Sequence, residues 1–331
     1  MKVLVTGGAG FIGSHVADAL VAREHDVTVL DDLSGGDRDN VPAAATFVQG
    51  SVTDVPLVAD LFSTGRFDHV FHLAAYAAEG LSHFIKRFNY INNLVGSVNL
   101  INAAVNTGVR GFLFTSSIAV YGSSPELPMT EETPAHPEDP YGIAKFAVEQ
   151  ELAVSRAMFG LDYIIFRPHN VYGSRQNIAD RYRNVVGIFM NQILQGHPMT
   201  IFGDGTQTRA FSHIHDVAPV IAESIDRPEA WNQVFNIGAD HPCTLNDLAR
   251  EVALAMGADA TVTHLPARAE VAHAYSSHAR LRGLFGERPQ TFLRDGLREM
   301  AAWVRRHGSR ETPRFEAIEI EKNLPAMWRD R

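Results

Sequence analysis

The chain has 331 residues, 45% of them hydrophobic and 20% charged, which is the composition of a globular protein with one large or two moderate domains. Its formal net charge of −9 argues against a nucleic-acid partner, because proteins that bind phosphate backbones usually carry a basic surface. A single cysteine, Cys243, excludes an intrachain disulfide, and no apolar run is long enough to span a bilayer, so we expect a cytoplasmic protein without a membrane partner.

Through the first half of the chain, short apolar runs alternate with helix-like stretches. Strands are predicted at residues 2–6, 26–30, 46–49, 69–73, 111–116 and 163–166, without the polar alternation of strands that have one solvated face. Helices are predicted between them at residues 12–23, 55–63, 81–107 and 140–159. This alternation of strand and helix is typical of the α/β class with a doubly wound parallel sheet.

Beyond residue 167 the pattern loosens and turn residues become frequent. Strands are predicted near 234–237 and 261–265, and helices near 245–256, 277–285 and 291–307. We interpret residues 1–168, with 211–235 returning to them, as one domain, and residues 169–210 and 236–331 as a smaller mixed α/β domain that binds substrate over the carboxyl edge of the sheet. The charged stretch after residue 310 is expected on the surface.

A glycine-rich turn follows the first predicted strand and precedes the first helix. Its sequence is Thr6-Gly7-Gly8-Ala9-Gly10-Phe11-Ile12-Gly13, and the second strand ends in Asp31-Asp32, about 20 residues further on. Glycines let the backbone approach a pyrophosphate at a helix N-terminus, so the pattern predicts a Rossmann-like dinucleotide site. A carboxylate at the second strand binds a ribose hydroxyl and repels a 2′-phosphate, which favours NAD over NADP. Asp31 is the preferred residue for this role, and Asp32 is assigned to the turn.

A tyrosine and a lysine four residues apart open the helix predicted from residue 140. The spacing places Tyr141 and Lys145 on one helical face. A phenol with a pKa near 10 is a poor base at neutral pH, but a nearby ammonium and a nicotinamide charge favour the phenolate. Such pairs also occur by chance on surface helices, so the prediction depends on Ser117, which follows a strand at the carboxyl edge and can share a proton with Tyr141. Ser116 is assigned equally to this role and to capping of the loop.

Seven motifs in order resemble the NAD-dependent epimerase/dehydratase family of extended short-chain dehydrogenases/reductases, over nearly the whole chain. They are the glycine turn, His72-Leu73-Ala74-Ala75, Asn93-Leu94-Val95-Gly96, Phe114 to Gly122, Tyr141 with Lys145, Arg167 to Gly173, and Phe202 to Phe211. Within the family, the chain resembles UDP-glucose and UDP-glucuronate 4-epimerases.

The resemblance implies further roles. It places Asn93 at the nicotinamide end of the cofactor site. Leu73, Ala74 and Ala75 are expected under the cofactor, and Pro168 and Asn170 between the cofactor and the sugar. Arg209 and Arg268 match arginines that hold the substrate diphosphate. Ser51 and Val52 stand at the adenine contact, where relatives often carry an acidic residue.

The reaction is predicted from the residues that follow Ser117. Family dehydratases carry an Asp-Glu pair there and decarboxylases commonly a Glu, whereas this chain has Ile118 and Ala119. The resemblance therefore implies a nucleotide-sugar 4-epimerase, an isomerase with tightly bound NAD and a transient 4-keto sugar, acting on a UDP-hexose or UDP-hexuronate. The alternatives are a sugar-nucleotide reductase, dehydrogenase or dehydratase of the same family, or a non-catalytic NAD-sensing scaffold.

Three further expectations complete the prediction. Arg175, together with Arg181 and Arg183, lies where a uronate carboxylate could be bound, although a solvated basic loop is an equal or better interpretation.

His213 and His215 could share one face of a strand, but the segment matches a family stretch that enters a helix with Asp216 as N-cap, so no metal is expected. Family analogy pairs the helices at 81–107 and 141–159 across a two-fold axis, which implies a homodimer.

Overall fold

A computed structural model of the chain describes residues 1–268, 270–311 and 315–329. Its first half alternates strands and helices as predicted, with bounds that differ from the predicted ones by one or two residues for most elements. These are β1 (Lys2–Thr6), α1 (Phe11–Ala22), β2 (Asp26–Asp31), β3 (Thr46–Gln49), α2 (Val55–Gly65), β4 (His69–His72), α3 (Glu79–Ser82), α4 (Lys86–Tyr90), α5 (Gly96–Thr107), β5 (Gly111–Thr115), α6 (Pro140–Phe159) and β6 (Asp162–Pro168).

The second half contains shorter strands, and its helices at Val185–Leu194 and Ala326–Arg329 were not predicted from the sequence. Its elements are β7 (Val171–Tyr172), α7 (Val185–Leu194), β8 (Met199–Phe202), β9 (Thr208–Ala210), β10 (Ser212–His213), α8 (Ile214–Glu223), β11 (Gln233–Ile237), β12 (Pro242–Thr244), α9 (Leu245–Met256), β13 (Val262–Leu265), β14 (His273–Ala274), α10 (Ala279–Phe285), α11 (Leu293–His307) and α12 (Ala326–Arg329).

The main sheet has seven strands in the order β11-β6-β5-β4-β1-β2-β3, and every pair is parallel. The predicted α/β, Rossmann-like fold class is therefore confirmed. Strands β2 and β3 are added on one side of β1, whereas β4, β5, β6 and β11 are added on the other, so the strand order reverses between β1 and β4. A crevice opens outside the carboxyl ends of strands at such a reversal, and ligands of doubly wound proteins bind there.

Both faces of this sheet are covered, which explains the continuous apolar runs. Val3 and Val5 of β1 pack in the cluster that includes α1 and α8, whereas Leu4 packs on the other side with residues of α2, α5 and α6. All three side chains are fully buried. The strands thus position the residues that follow them at one rigid edge.

The second lobe packs α7, α9 and α11 around a separate apolar cluster that includes Phe189, Leu248 and Met300. Its strands form three small sheets, β10-β7, β12-β9-β14 and β13-β8. Within the described ranges, no helix has both the length and the apolar character that a bilayer crossing requires.

The helix predicted over residues 81–107 is interrupted. It consists of α3, α4, a π-helical turn at Ile91–Val95 and α5. At the first break, the carbonyl of Phe84 accepts bonds from the amides of Glu319 and Ile320, at 2.8 and 3.1 Å. The Glu319 carboxylate accepts from the amides of Arg87 and Phe88 at the start of α4, at 2.8 and 2.9 Å. A distant part of the chain therefore satisfies the backbone groups that the break leaves free.

That distant part is residues 315–329, which we call the carboxyl-terminal segment. Most residues of this segment are exposed, in line with the surface position predicted for the stretch, but Leu324 and Trp328 are buried, and Trp328 is only 1% exposed. Residues 312–314 and 330–331 of the predicted stretch lie outside the described residues. Phe315 and Trp328 join an aromatic cluster with Tyr76 and Tyr182. The segment therefore packs against residues of the first and second lobes.

Candidate active site

A cavity of about 700 Å³ lies at the carboxyl edge of the main sheet, between the sheet and the second lobe. Most of the residues predicted from the sequence line it. They are Gly7, Gly10, Phe11, Ile12, Gly13, Asp31, Asp32, Ser51, Val52, Leu73, Ala74, Ala75, Ser117, Tyr141, Lys145, Pro168, Asn170, Arg209 and Arg268.

The glycine turn has the close backbone contacts that a pyrophosphate cradle requires. Gly7 has a φ of +72°, and a Cβ placed on it would lie 2.6 Å from the amide nitrogen of Ala74. A Cβ on Gly13 would lie 2.1 Å from the carbonyl oxygen of Gly7. The turn leads directly into α1, whose N-terminal amides favour an anion. The residues present therefore fit a dinucleotide phosphate.

Asp31 is held against this turn. Its carboxylate accepts bonds from the amides of Ala9 at 3.0 Å and Leu33 at 2.8 Å. Burial raises the pKa of Asp31, and these amide bonds oppose that rise. Asp32 is exposed, and its carboxylate accepts a bond from the amide of Ser34 within its own turn.

Exchange of each carboxylate separates the two candidates for ribose recognition. We expect Asp31→Asn to weaken NAD binding by roughly 10-fold or more, because a hydrogen bond to a charged group contributes about 1.5–3 kcal/mol. We expect Asp32→Asn, the matched control, to bind NAD as the unmodified protein does. Titration of NAD by fluorescence or calorimetry measures both, and equal effects of the two changes would contradict the assignment.

The start of α6 fixes the position of Tyr141. The Asp139 side chain caps the helix by accepting from the amide of Gly142 at 2.9 Å, and the amide of Tyr141 donates to Ser82 Oγ at 3.2 Å. Ser117 lines the same cavity as Tyr141. Burial raises the pKa of Tyr141, and the Ser117 hydroxyl acts in the opposite direction.

Lys145 lies one turn further along the same face. Its Nζ donates to the carbonyl of Thr115 at 2.8 Å and lies 5.7 Å from the centre of the Tyr141 ring. Burial lowers the pKa of Lys145 to about 7, and the carboxylate of Glu149 opposes this shift. Burial is the largest influence on the pKa of Tyr141, and a positive charge beside the ring would favour the phenolate.

Ser116 takes part in a buried network rather than in loop capping. Its hydroxyl donates to Glu149 Oε1 at 2.5 Å, and the same carboxylate binds Arg167 through two bonds of 3.0 and 2.5 Å. Arg167 also donates to the Tyr121 hydroxyl at 2.8 Å, which donates to Asn236 at 2.7 Å. The network joins β5, α6, β6 and β11 behind the cavity wall.

Two predicted residues lie outside the cavity lining. Asn93 is buried, and its side chain bonds to both the amide and the carbonyl of Tyr76, at 2.8 and 3.1 Å, so it supports a residue that lines the cavity. Arg175 pairs with Asp18 of α1 at 2.5 Å. The geometry therefore gives no support to a substrate contact by Arg175.

The two predicted diphosphate ligands lie at the second-lobe end of the cavity. Arg209 donates to the carbonyls of Thr208 and Ala272, each at 2.9 Å. The Arg268 guanidinium lies 4.4 Å from the centre of the Phe202 ring and 5.6 Å from that of Trp328. Both arginines are thus held in place by protein groups at the cavity edge.

Glu79 also lines the cavity, although the sequence patterns gave it no role. Burial raises the pKa of Glu79 to about 7, and the Asp139 carboxylate adds to the effect. Its position four residues after Ala75, which was predicted to lie under the cofactor, could have indicated a cavity residue. We predicted a helix only from residue 81, so Glu79 fell outside it. Arg183, considered for a uronate carboxylate, lines the cavity as well; it binds Asp180 at 2.7 Å and lies 4.7 Å from the centre of the Tyr76 ring.

A doubly wound sheet, a pyrophosphate-binding glycine turn and a buried tyrosine–lysine pair at one cavity define an enzyme of the short-chain dehydrogenase/reductase class. The chain belongs to the NAD dependent epimerase/dehydratase family, whose profile matches residues 3–238. NAD, predicted from the sequence, is the cofactor of this family.

Similar proteins include several UDP-glucose 4-epimerases. That of Mycolicibacterium smegmatis is 35% identical over 312 residues, which cover 92% of this chain and 99% of the relative. The crystal structure of the Thermotoga maritima enzyme with UDP-glucose superposes with a TM-score of 0.88 at 34% identity, covering 93% of this chain and 99% of that one. The Thermus thermophilus enzyme in complex with NAD gives a TM-score of 0.86 at 34% identity, with coverages of 92% and 99%.

Proposed function

We propose that the protein is a UDP-sugar 4-epimerase that interconverts UDP-glucose and UDP-galactose or a close variant of this pair. The observation that carries the proposal is the buried Tyr141, which lines one cavity together with Ser117, Lys145 and the dinucleotide-binding turn. Ile118 and Ala119 follow Ser117 and offer no acid or base. The similarity to UDP-glucose 4-epimerases supports the same reaction.

The mechanism assigns each residue one task. Bound NAD supplies a reversible hydride acceptor and a positive charge. Tyr141 removes the proton from the sugar O4 hydroxyl, with Ser117 bonded to the same oxygen, and the charge of Lys145 favours the phenolate. Arg209 and Arg268 hold the diphosphate while the 4-keto sugar turns to present its other face. Tyr141 then returns the proton, so the sugar leaves inverted at C4 and the cofactor is unchanged.

The cavity favours a neutral hexose over a hexuronate. Of the three arginines considered for a sugar carboxylate, Arg175 pairs with Asp18 and Arg181 donates to the carbonyl of Met327 at 3.2 Å. Arg183 lines the cavity but is paired with Asp180, and Glu79 also lines the cavity. A second carboxylate on the substrate would be repelled by Glu79.

Assays with separate UDP-sugars test the reaction. The purified protein is incubated with UDP-glucose, UDP-galactose, UDP-glucuronate or UDP-galacturonate, and the products are separated by chromatography. We expect C4 epimers of the neutral sugars without net formation of NADH. Absence of every C4 epimer would overturn the proposal. A 4-keto-6-deoxy product would instead identify a dehydratase, and consumption of added NADH would identify a reductase.

We further propose a cytoplasmic homodimer that pairs through α5 and α6. Large apolar side chains are exposed on α6 and on the π-helical turn that leads into α5; they include Val95, Val154, Met158 and Phe159. Burial of such a patch against a second copy would remove it from water. We also propose two domains: one comprises residues 1–168 and 211–235, and the other comprises residues 169–210 and 236–331. Sedimentation equilibrium measures the oligomeric state directly.

Trp328 contacts Arg268 at the end of the cavity where the diphosphate is proposed to bind. We predict that this contact lowers the KM for the UDP-sugar. Trp328→Ala removes one of the two rings that contact the Arg268 guanidinium, a cation–π contact of about 1 kcal/mol, so we expect KM for the UDP-sugar to rise roughly 5-fold. The kcat and the NAD affinity should stay constant, and Trp328→Phe should restore KM. A fall in kcat with an unchanged KM would contradict this role.

A further inference from the structure

We propose that His213, His215 and Glu299 form a binding site for a divalent transition-metal ion, separate from the active-site cavity. One nitrogen from each histidine and one carboxylate oxygen lie within 4.8 Å of one another. His213 ends β10, His215 lies in the first turn of α8, and Glu299 lies on α11. None of the three lines the cavity.

The imidazole of His213 is buried without a hydrogen-bond partner. Its side chain is 0% exposed, and neither Nδ1 nor Nε2 has a partner among the described residues. The great majority of buried polar atoms are bonded, and an ion is one explanation for an exception. The ring packs against Tyr172, and a Cβ on Gly296 would come within 2.9 Å of its Cδ2 atom, so the backbone of α11 leaves room for it.

The other two donors are accessible and can adjust. His215 and Glu299 have side-chain exposures of 56% and 45%. The Glu299 oxygen Oε2 lies 3.6 Å from His215 Nδ1 and 3.9 Å from His213 Nε2. Ligands at about 2.0–2.1 Å from a tetrahedral ion are separated by roughly 3.3 Å, so small rotations of the two exposed side chains close the site.

The donor chemistry selects the ion. Two imidazoles and one carboxylate are ligands typical of Zn²⁺, with the fourth position left to water. The Glu299 oxygen lies 3.9 Å from His213 Nε2, beyond hydrogen-bonding distance, so a direct bond to this carboxylate does not satisfy the buried ring.

A further histidine nearby has another partner. The ring of His15 lies 6.1 Å from that of His215, but its Nε2 lies 3.1 Å from the carbonyl oxygen of Ser174. The proposed ion would therefore join α8, which packs on α1, to α11 of the second lobe. Its expected effect is to stabilise that junction rather than to take part in the reaction.

Metal binding to the full chain tests the site. Protein dialysed against EDTA and then against buffer is titrated with ZnCl₂ by calorimetry, and with CoCl₂ by visible absorption. We expect one ion per chain and a higher Tm with zinc, reversed by EDTA. His215→Ala and Glu299→Gln alter exposed side chains and should weaken binding by about 100-fold. His307→Ala, an exposed histidine on the same helix, is the matched control and should bind normally.

Two results would overturn the proposal. One is the absence of stoichiometric binding by the unmodified protein. The other is equal affinity in the His215→Ala, Glu299→Gln and His307→Ala variants, which would indicate adventitious binding to surface histidines. Neither readout depends on catalytic activity, so the outcome is independent of the proposed epimerase function.

Discussion

Tyr141→Phe will lower kcat for UDP-sugar epimerisation by about 1,000-fold, because positioned acid–base groups contribute roughly 10² to 10⁴ in rate. The phenol is 7% exposed, and it lines the cavity together with Ser117. Phenylalanine keeps the ring that packs beside Lys145 but removes the oxygen that exchanges the proton. Initial rates at saturating UDP-sugar measure the effect.

The control for this change is Tyr163→Phe. Tyr163 is a half-buried tyrosine of β6 that does not line the cavity, so its loss of a hydroxyl should leave kcat unchanged. NAD content after purification should be the same in both variants and in the unmodified protein. Full turnover by a Tyr141→Phe protein that retains NAD would show that the proton moves by another route.

Glu149→Gln will lower the free energy of unfolding by about 3 kcal/mol or more, because it leaves the Arg167 guanidinium buried beside a neutral partner. The side chains of Arg167 and Glu149 are only 7% and 4% exposed, so solvent screens the pair little. Ser116 also loses the charge that strengthens its bond. Urea unfolding followed by circular dichroism measures the change.

Two further variants show whether the effect arises from the unpaired charge. Gln150→Ala, on the exposed side of the same helix, should change stability by less than about 0.5 kcal/mol. The double variant Glu149→Leu, Arg167→Met removes both charges and should recover most of the loss, since a buried pair is often replaceable by apolar groups. A single variant as stable as the unmodified protein would contradict the proposed role of the network.

The elements that the sequence predicted well are those set by neighbouring residues. In the glycine turn, the close contact of Gly13 is with the carbonyl of Gly7, six residues earlier in the same motif. The cap at Asp139 with Pro140 at the first helical position starts α6, which places Tyr141 and Lys145 on one face. Buried parallel strands show as apolar runs because both faces are covered.

The features that were missed depend on partners far along the chain. The break before α4 is satisfied by Glu319, which lies 232 residues from Arg87, and no periodicity in either stretch indicates the other. The side chains of Arg175 and Arg183 differ in direction because one pairs with Asp18 and the other with Asp180. A sequence pattern gives the number of arginines in this loop but not their directions.

Helix capping at Asp216 was also predicted incorrectly. The residue before α8 is His213, and Asp216 lies inside the first turn, where its carboxylate accepts from the amide and hydroxyl of Thr291, each at 2.9 Å. A tertiary partner competes successfully with the local backbone for this side chain. The start of α8 therefore presents two histidines, rather than a capping carboxylate, to α11.

The carboxyl-terminal segment contributes no strand to the seven-stranded sheet, yet Trp328 contacts Arg268 and Phe315 contacts Tyr76 at the cavity. Substitutions in this stretch can therefore reshape the end of the cavity where Arg268, the proposed diphosphate ligand, lies, while the cofactor lobe keeps its sequence and its fold. During divergence, a new substrate preference would then require few alterations to the scaffold. Chimeras that exchange residues 315–329 between relatives would reveal such a drift in substrate choice.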